Sequence, residues 1–117
     1  MTKTAQISLN VNGERYVEDV PVRMNLADFL RTRLGLTGTH VGCEHGVCGA
    51  CTLFLNGVTA RSCLALAVQA DGAVITTIEG YETDKNASDL IKNFHNRNAL
   101  QCGYCTPGMM ISARDLI

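Results

Sequence analysis

The chain has 117 residues, 46% apolar and 18% charged, with ten Lys and Arg against eleven Asp and Glu and a formal charge of −1. That length supports one compact domain, or a small domain with an appendage, and the charge balance excludes the basic excess a nucleic-acid partner would require. No run approaches the roughly 18–20 apolar residues of a membrane span, and the first six residues hold one Lys and no apolar leader. The expectation is a soluble cytoplasmic protein without membrane insertion.

Ala5, Ile7, Leu9 and Val11 alternate with polar residues, the period of a half-buried strand. Asn12-Gly13 suits a two-residue hairpin turn because both positions tolerate positive φ. Glu14–Val20 reads as the returning strand, stopped by Pro21. Asn25 is a helix cap with Asp28 three residues on, and Leu26, Phe29, Leu30 and Leu34 mark one helical face that Gly35 closes. Residues 38–49 form a loop dense in glycine and cysteine. Thr52–Leu55, a turn at Asn56-Gly57 and Val58–Ala60 predict a second hairpin, and Val74–Ile78 a further β-branched strand. Residues 1–80 therefore predict a mixed sheet with one helix packed on it, an α+β arrangement.

Beyond a polar connector, Tyr81–Asn86, residues 81–117 have a helical texture. Leu90, Ile91 and Phe94 suggest a helix from about Ser88 to Arg97. Thr106-Pro107 is an N-cap followed by proline at the first helical position, with Met109, Met110, Ala113, Leu116 and Ile117 as the expected buried stripe. Two short helices cannot enclose a core of their own. They must lean on the first domain, or belong to a bundle whose remainder this sequence does not contain.

Six cysteines are too many for a reducing compartment without a purpose. Cys43, Cys48, Cys51 and Cys63 stand as C-x4-C-x2-C-x11-C. C-x4-C-x2-C with a distant fourth Cys is the spacing of plant-type [2Fe–2S] clusters. Three thiolates from one loop must fold tightly around two irons, and Gly42, Gly46 and Gly49 supply the backbone freedom that lets amides point at sulfur. A disulfide framework is disfavoured by the missing leader. A zinc site would pair Cys48/Cys51 with Cys102/Cys105 across fifty residues and leave Cys43 and Cys63 unexplained. Cys43-Glu44-His45 lacks the second Cys–His pair of a Rieske centre, so His45 reads as a solvated loop residue. His40 and His95 have no partner at metal-binding spacing. Cys102-Gly103-Tyr104-Cys105 follows a helix, unlike a thioredoxin-type dithiol, and reads better as half of an iron–sulfur ligand set.

Gly42-Cys43-Glu44-His45-Gly46-Val47-Cys48-Gly49-Ala50-Cys51-Thr52, then Cys63, then Leu100-Gln101-Cys102-Gly103-Tyr104-Cys105-Thr106-Pro107-Gly108-Met109-Met110, resembles the small iron–sulfur subunit of molybdenum hydroxylases. This is the xanthine dehydrogenase and aldehyde oxidoreductase family, including aerobic carbon monoxide dehydrogenase. Thr76-Thr77-Ile78-Glu79-Gly80 also fits, and the likeness runs through essentially the whole chain. It implies a β-grasp [2Fe–2S] ferredoxin-like domain over residues 1–80, followed by a helical [2Fe–2S]-binding domain from 81. The cluster on Cys43, Cys48, Cys51 and Cys63 would lie nearer FAD. The one using Cys102 and Cys105 would lie nearer the molybdenum cofactor, whose pterin the position of Gln101 contacts. The implied partners are a large subunit holding the molybdenum cofactor and a medium subunit holding FAD. The family takes the other two ligands of its second cluster from a later Cys-x-Cys. No cysteine follows Cys105 here, so relative to the family the chain reads as C-terminally truncated, with an incomplete helical domain and exposed, oxidation-prone thiols at Cys102 and Cys105.

The chain shows no general base, activated nucleophile or nucleotide-binding glycine motif, so substrate chemistry is expected on a partner. The reading is an electron-transfer subunit of an oxidoreductase complex, a one-electron carrier near roughly −400 mV if it behaves like plant-type ferredoxins. A free-standing ferredoxin would favour a stronger charge patch for steering and would leave the helical extension without a role. A zinc-stabilised interaction module would contain zinc and no inorganic sulfide.

Overall fold

The computed structural model describes residues 3–43, 48–83, 85–97 and 103–116. Expectations placed on His45, Gly46, Gln101, Cys102 and Ile117 lie outside the described residues. The first strand, β1 (Thr4–Val11), pairs antiparallel with β2 (Glu14–Pro21), which runs one residue further than expected to include its proline. Asn12 and Gly13 have φ of 53° and 87°, and Asn56 and Gly57 have 51° and 84°. Both Asn-Gly pairs thus make left-handed two-residue turns, whose twist matches that of the flanking strands. The second turn joins β3 (Thr52–Leu55) to β4 (Val58–Arg61).

A last strand, β5 (Val74–Thr76), slots between the two hairpins, parallel to β1 and antiparallel to β3. The sheet order is β2-β1-β5-β3-β4, with the crossover from β2 carrying a helix over one face. This is the β-grasp topology, an α+β fold. Alternation along β1 buries Ile7, Leu9 and Val11 against Leu26, Phe29 and Leu30 of the helix and Leu53 and Ile75 of the sheet. Each such side chain contributes roughly 1.5–3 kcal/mol on burial, and together they hold the helix to the sheet.

That helix, α1, departs from the regular one expected. It starts as one α-helical turn, Leu26–Asp28, where Asp28 N–H donates to Asn25 Oδ1 (2.8 Å), as the cap reading requires. It then widens into a π-helical segment, Phe29–Arg33, with Leu34 N–H donating to the Phe29 carbonyl five residues back. The Asp28 carbonyl, which would accept from the amide of Thr32, takes the Thr32 hydroxyl at 2.6 Å. A side-chain donor thus competes with the backbone ladder and opens the winding. Gly35, at φ 70°, closes the helix as expected.

Strand β5 is shorter than the expected Val74–Ile78. Thr77 N–H donates to Asn12 Oδ1 (2.9 Å), and Asn12 Nδ2 returns a bond to Thr77 Oγ1 (2.8 Å). The side chain of the first turn thereby replaces the ladder at Thr77. Thr77 Oγ1 donates to Glu79 Oε1 (2.8 Å), and Gly38 N–H donates to Glu79 Oε2 (2.7 Å). The Thr76–Gly80 segment is thus a latch between the first hairpin, β5 and the loop after α1. The expected polar connector is largely helical: a 3-10 segment spans Ile78–Thr83, and α2 runs Lys85–Asn96, starting earlier than expected.

The last helix, α3 (Thr106–Leu116), leans on β3 and β4 and also packs against α2. Only part of the predicted stripe turns inward: Met110 and Ala113 are half-buried. Gly108 and Ile111 point inward, Ile111 against Phe54, Ile78 and Met110, while Met109 is 54% and Leu116 89% exposed. A methyl group at position 108 would overlap the Gly49 carbonyl oxygen and stand 3.1 Å from Ala50 Cα. Only glycine lets the helix come so close to the cysteine loop, so the face bearing Gly108 docks and the bulkier methionine stays outside. Among the described residues, no helix is long and apolar enough to cross a membrane.

Candidate metal centre

The cysteine loop hangs between α1 and β3 and is anchored at several points. Arg31 Nη1 donates to the Thr37 and Thr39 carbonyls at 2.8 and 3.0 Å, and His40 N–H donates to the Ala50 carbonyl. Gly49, at φ 70°, turns the chain back before β3, as glycine at that position was expected to do. Thr52 Oγ1 then donates to the Gly49 carbonyl (2.6 Å) and accepts from Arg61 Nη1 (2.6 Å). Arg61, on β4, thereby lies against the loop.

On this scaffold the sulfurs stand in two groups. Cys51, at the start of β3, and Cys63, in the 3-10 turn after β4 (Ser62–Leu64), are both buried, with Sγ atoms 3.3 Å apart. That is far beyond the roughly 2.05 Å of a disulfide, so no disulfide links them. Ser62 Oγ holds the pair together by donating to the Cys51 carbonyl at 2.7 Å. Ala27 of α1 and Val41 complete their apolar surroundings. The second group is more open: Cys48 is exposed and Cys43 half-buried. Cys48 N–H donates to Cys43 Sγ (3.3 Å), and Ala50 N–H to Cys48 Sγ (3.4 Å). A Cβ at Gly42 would lie 3.0 Å from Cys48 Sγ, so this glycine keeps the sulfur's near side clear.

Among the described residues, no three His, Cys, Asp or Glu side chains converge as a site for one metal ion. A two-iron cluster asks for something else, two terminal ligands on each iron, with amides directed at sulfur to stabilise the negative charge. The Cys51/Cys63 and Cys43/Cys48 groupings, with amides directed at the sulfurs of Cys43 and Cys48, fit that requirement.

Cys105 lies at the start of α3 and is exposed. The Met109 amide donates to the Cys105 carbonyl (3.1 Å), so Cys105, rather than the expected Thr106, holds the cap position. Thr106 is buried, and its Oγ1 has no hydrogen-bond partner among the described residues. A buried hydroxyl without a partner beside a cysteine-bearing turn leaves an acceptor and donor for a polar group.

Two residues with no metal-binding signal in the sequence also meet here. His40 stacks on Tyr104, ring centroids 4.5 Å apart at 20°, and its Nδ1 lies 2.6 Å from the Tyr104 carbonyl oxygen. They are 64 residues apart, and no local pattern pairs them.

Comparison with known proteins agrees with the two-part construction. Residues 9–76 match the family model of the 2Fe-2S iron-sulfur cluster binding domain, and residues 77–117 that of the [2Fe-2S] binding domain. The chain is 56% identical over 106 residues to caffeine dehydrogenase subunit gamma of Pseudomonas sp. (strain CBB1), covering 91% of this chain and 64% of that protein. It is 48% identical over 112 residues to the nicotine 6-hydroxylase small subunit of Paenarthrobacter nicotinovorans, covering 96% and 67%. Among solved structures it superposes on a chain of quinoline 2-oxidoreductase from Pseudomonas putida 86 with TM-score 0.89 and 50% identity, covering 97% and 70%. Fold, cysteine pairing and these matches define a ferredoxin-like protein built from two [2Fe–2S]-binding domains. More narrowly, the chain belongs to the small iron–sulfur subunits of the molybdenum hydroxylase family. It spans about two thirds of the length of the first two relatives.

Proposed function

We propose that this chain is the electron-transfer subunit of a molybdenum-containing dehydrogenase. Cys43, Cys48, Cys51 and Cys63 bind one [2Fe–2S] cluster, and Cys102 and Cys105 supply half the ligands of a second. Gln101 contacts the pterin of the molybdenum cofactor on a large partner subunit. When bound, the clusters supply one-electron transfer from that cofactor towards FAD on a medium subunit or another acceptor. Substrate choice rests with the large subunit.

The observation that carries this reading is the buried Cys51/Cys63 pair, which closes the cysteine loop onto the sheet. The chain's own residues do the positioning. Ser62 and Ala27 hold the buried pair away from water, and the amides of Cys48 and Ala50 direct positive dipoles at sulfur. Docking of α3 through Gly108 brings the Cys105 turn to the same end of the molecule as the first loop.

The test is anaerobic purification with analysis of iron, zinc and acid-labile sulfide, followed by EPR after dithionite. Equal iron and sulfide with a signal from a reduced [2Fe–2S] centre is expected, and a Cys51→Ser, Cys63→Ser double variant should lose that centre. A protein that carries zinc without sulfide, or stays EPR-silent after reconstitution with excess iron, refutes the reading. Co-purification with a large molybdenum-binding chain separates the subunit from a freely diffusing carrier.

A further inference from the structure

The first cysteine site is unevenly covered by its own domain. Cys51 and Cys63 are buried with Ala27 and Val41, whereas Cys48 is exposed and Cys43 half-buried. A side chain from the helical part reaches both halves. Tyr104 donates its hydroxyl to the Val41 carbonyl, and Val41 packs on the buried pair. At Gly42, the space a Cβ would fill is bordered by Cys48 Sγ at 3.0 Å and by Tyr104 Cε2 at 3.8 Å. The tyrosine ring and the exposed sulfur thus border one methyl-sized gap that only glycine leaves open. His40 holds the ring in place. The two rings stack with centroids 4.5 Å apart, and His40 Nδ1 meets the Tyr104 carbonyl at 2.6 Å. A carbonyl only accepts, so Nδ1 carries the hydrogen. Arg31 steadies His40 in turn by holding the carbonyl of the buried Thr39, and Gly103, at φ 84°, turns the chain just before Tyr104.

From this geometry we infer that Tyr104, held by His40, is a positioning residue that screens the open side of the first cluster from water and so keeps its potential low. The inference rests on the assignment of one cluster to Cys43, Cys48, Cys51 and Cys63, and it needs no second one. Neither Tyr104 nor His40 is a ligand. Water dipoles stabilise the more negative, reduced state of a cluster, so solvent reaching the Cys43/Cys48 side raises the potential. An aromatic ring in that place opposes the rise. Tyrosine suits the task, because its ring excludes water while its hydroxyl is satisfied by a backbone carbonyl. The ring is 48% exposed. Its outer part meets solvent, and the remainder is taken up by His40, Val41 and the Gly42 gap. Contacts at the hydroxyl, the ring and the carbonyl of one residue leave it little room to swing away.

The test uses the full chain, purified anaerobically with its iron and sulfide, comparing wild type with Tyr104→Ala, Tyr104→Phe and His40→Ala. After exchange into D2O and reduction with dithionite, the deuterium modulation of the electron spin echo reports solvent hydrogens close to the cluster. A redox titration followed by EPR gives its potential, and iron and sulfide content are measured alongside. Tyr104→Ala is expected to keep the cluster, deepen the modulation, shift the potential upward and shorten survival of the cluster in air several-fold. Tyr104→Phe keeps the ring and loses one exchangeable hydrogen, so its modulation should not exceed that of wild type. His40→Ala leaves the ring less firmly held and should fall between wild type and Tyr104→Ala. Unchanged modulation or an unchanged potential in loaded Tyr104→Ala overturns the inference. So does a Tyr104→Phe variant that matches Tyr104→Ala, because the hydroxyl rather than the ring would then be responsible. If Tyr104→Ala does not retain iron and sulfide, His40→Ala decides, and modulation or potential equal to wild type there overturns the inference. Absence of iron and sulfide from wild type would instead refute the cluster assignment.

Discussion

Arg61 shows how a single side chain acquires a role that its position in the sequence does not announce. It is exposed at the end of β4, yet its guanidinium donates to Thr52 Oγ1 and lies 3.7 Å from where a Cβ at Gly49 would be. A positive charge against the loop stabilises the more negative, reduced state of a cluster held there, and so raises its potential. Solvent screening limits the effect, which for one charge near the surface comes to about 20–40 mV for a one-electron couple. Arg61→Gln should lower the potential of the first cluster by that amount in an EPR redox titration, while Arg61→Lys leaves it nearly unchanged. If lysine and glutamine shift the potential equally, the hydrogen bond to Thr52 matters and the charge does not. The C-x4-C-x2-C spacing was legible at this scale because it is local in the chain. Arg61 and His40 were not, because nothing near them in sequence states what they face.

Among the elements, the two Asn-Gly hairpins and the capped start of α1 followed directly from residue type, since each depends only on neighbouring backbone. The widening of α1 and the early end of β5 did not. Both arise where a side chain, Thr32 or Asn12, takes a backbone partner from the regular ladder. Helix α3 is the sharpest case. Apolar spacing placed Met109 and Leu116 inside, whereas the close approach of Gly108 to Gly49 and Ala50 turns them outward. Gly108→Ala would ordinarily strengthen a helix by roughly 1 kcal/mol. Here the added methyl meets backbone that cannot swing aside, so a net loss of about 1–3 kcal/mol is expected. Denaturant unfolding of the wild type and variant measures it. The variant should also expose Cys105 to faster alkylation, whereas a stabilised variant with unaltered thiol reactivity would show that α3 docks in another way.

For the molecule as a whole, the principal apolar core and the cysteine site are separate. The core lies between the sheet and α1 and contains none of the described cysteines, while Cys51 and Cys63 pack with Ala27 and Val41 in a satellite cluster. Binding energy from a cluster therefore adds to a fold that the core already supports. Chelation of iron under reducing conditions should lower Tm by roughly 10 °C, the equivalent of about 2 kcal/mol for a domain of this size. Hydrogen exchange should rise in residues 38–43, 48–51 and 103–106 while β1, β2 and β5 stay protected. Cooperative loss of protection across the sheet would mean that the cluster is required for the core to form.

Local sequence alone determined the turns, the first cap, the spacing of the clustered cysteines and the existence of a helical second part, because each depends on residue types within a few positions of one another. Tertiary packing decided which face of α3 is buried, how the Thr76–Gly80 segment latches onto Asn12 and Gly38, and that Tyr104 meets His40. Those outcomes join residues about 40 to 65 positions apart, and steric fit between already formed elements selects them rather than any preference written into a short stretch of chain.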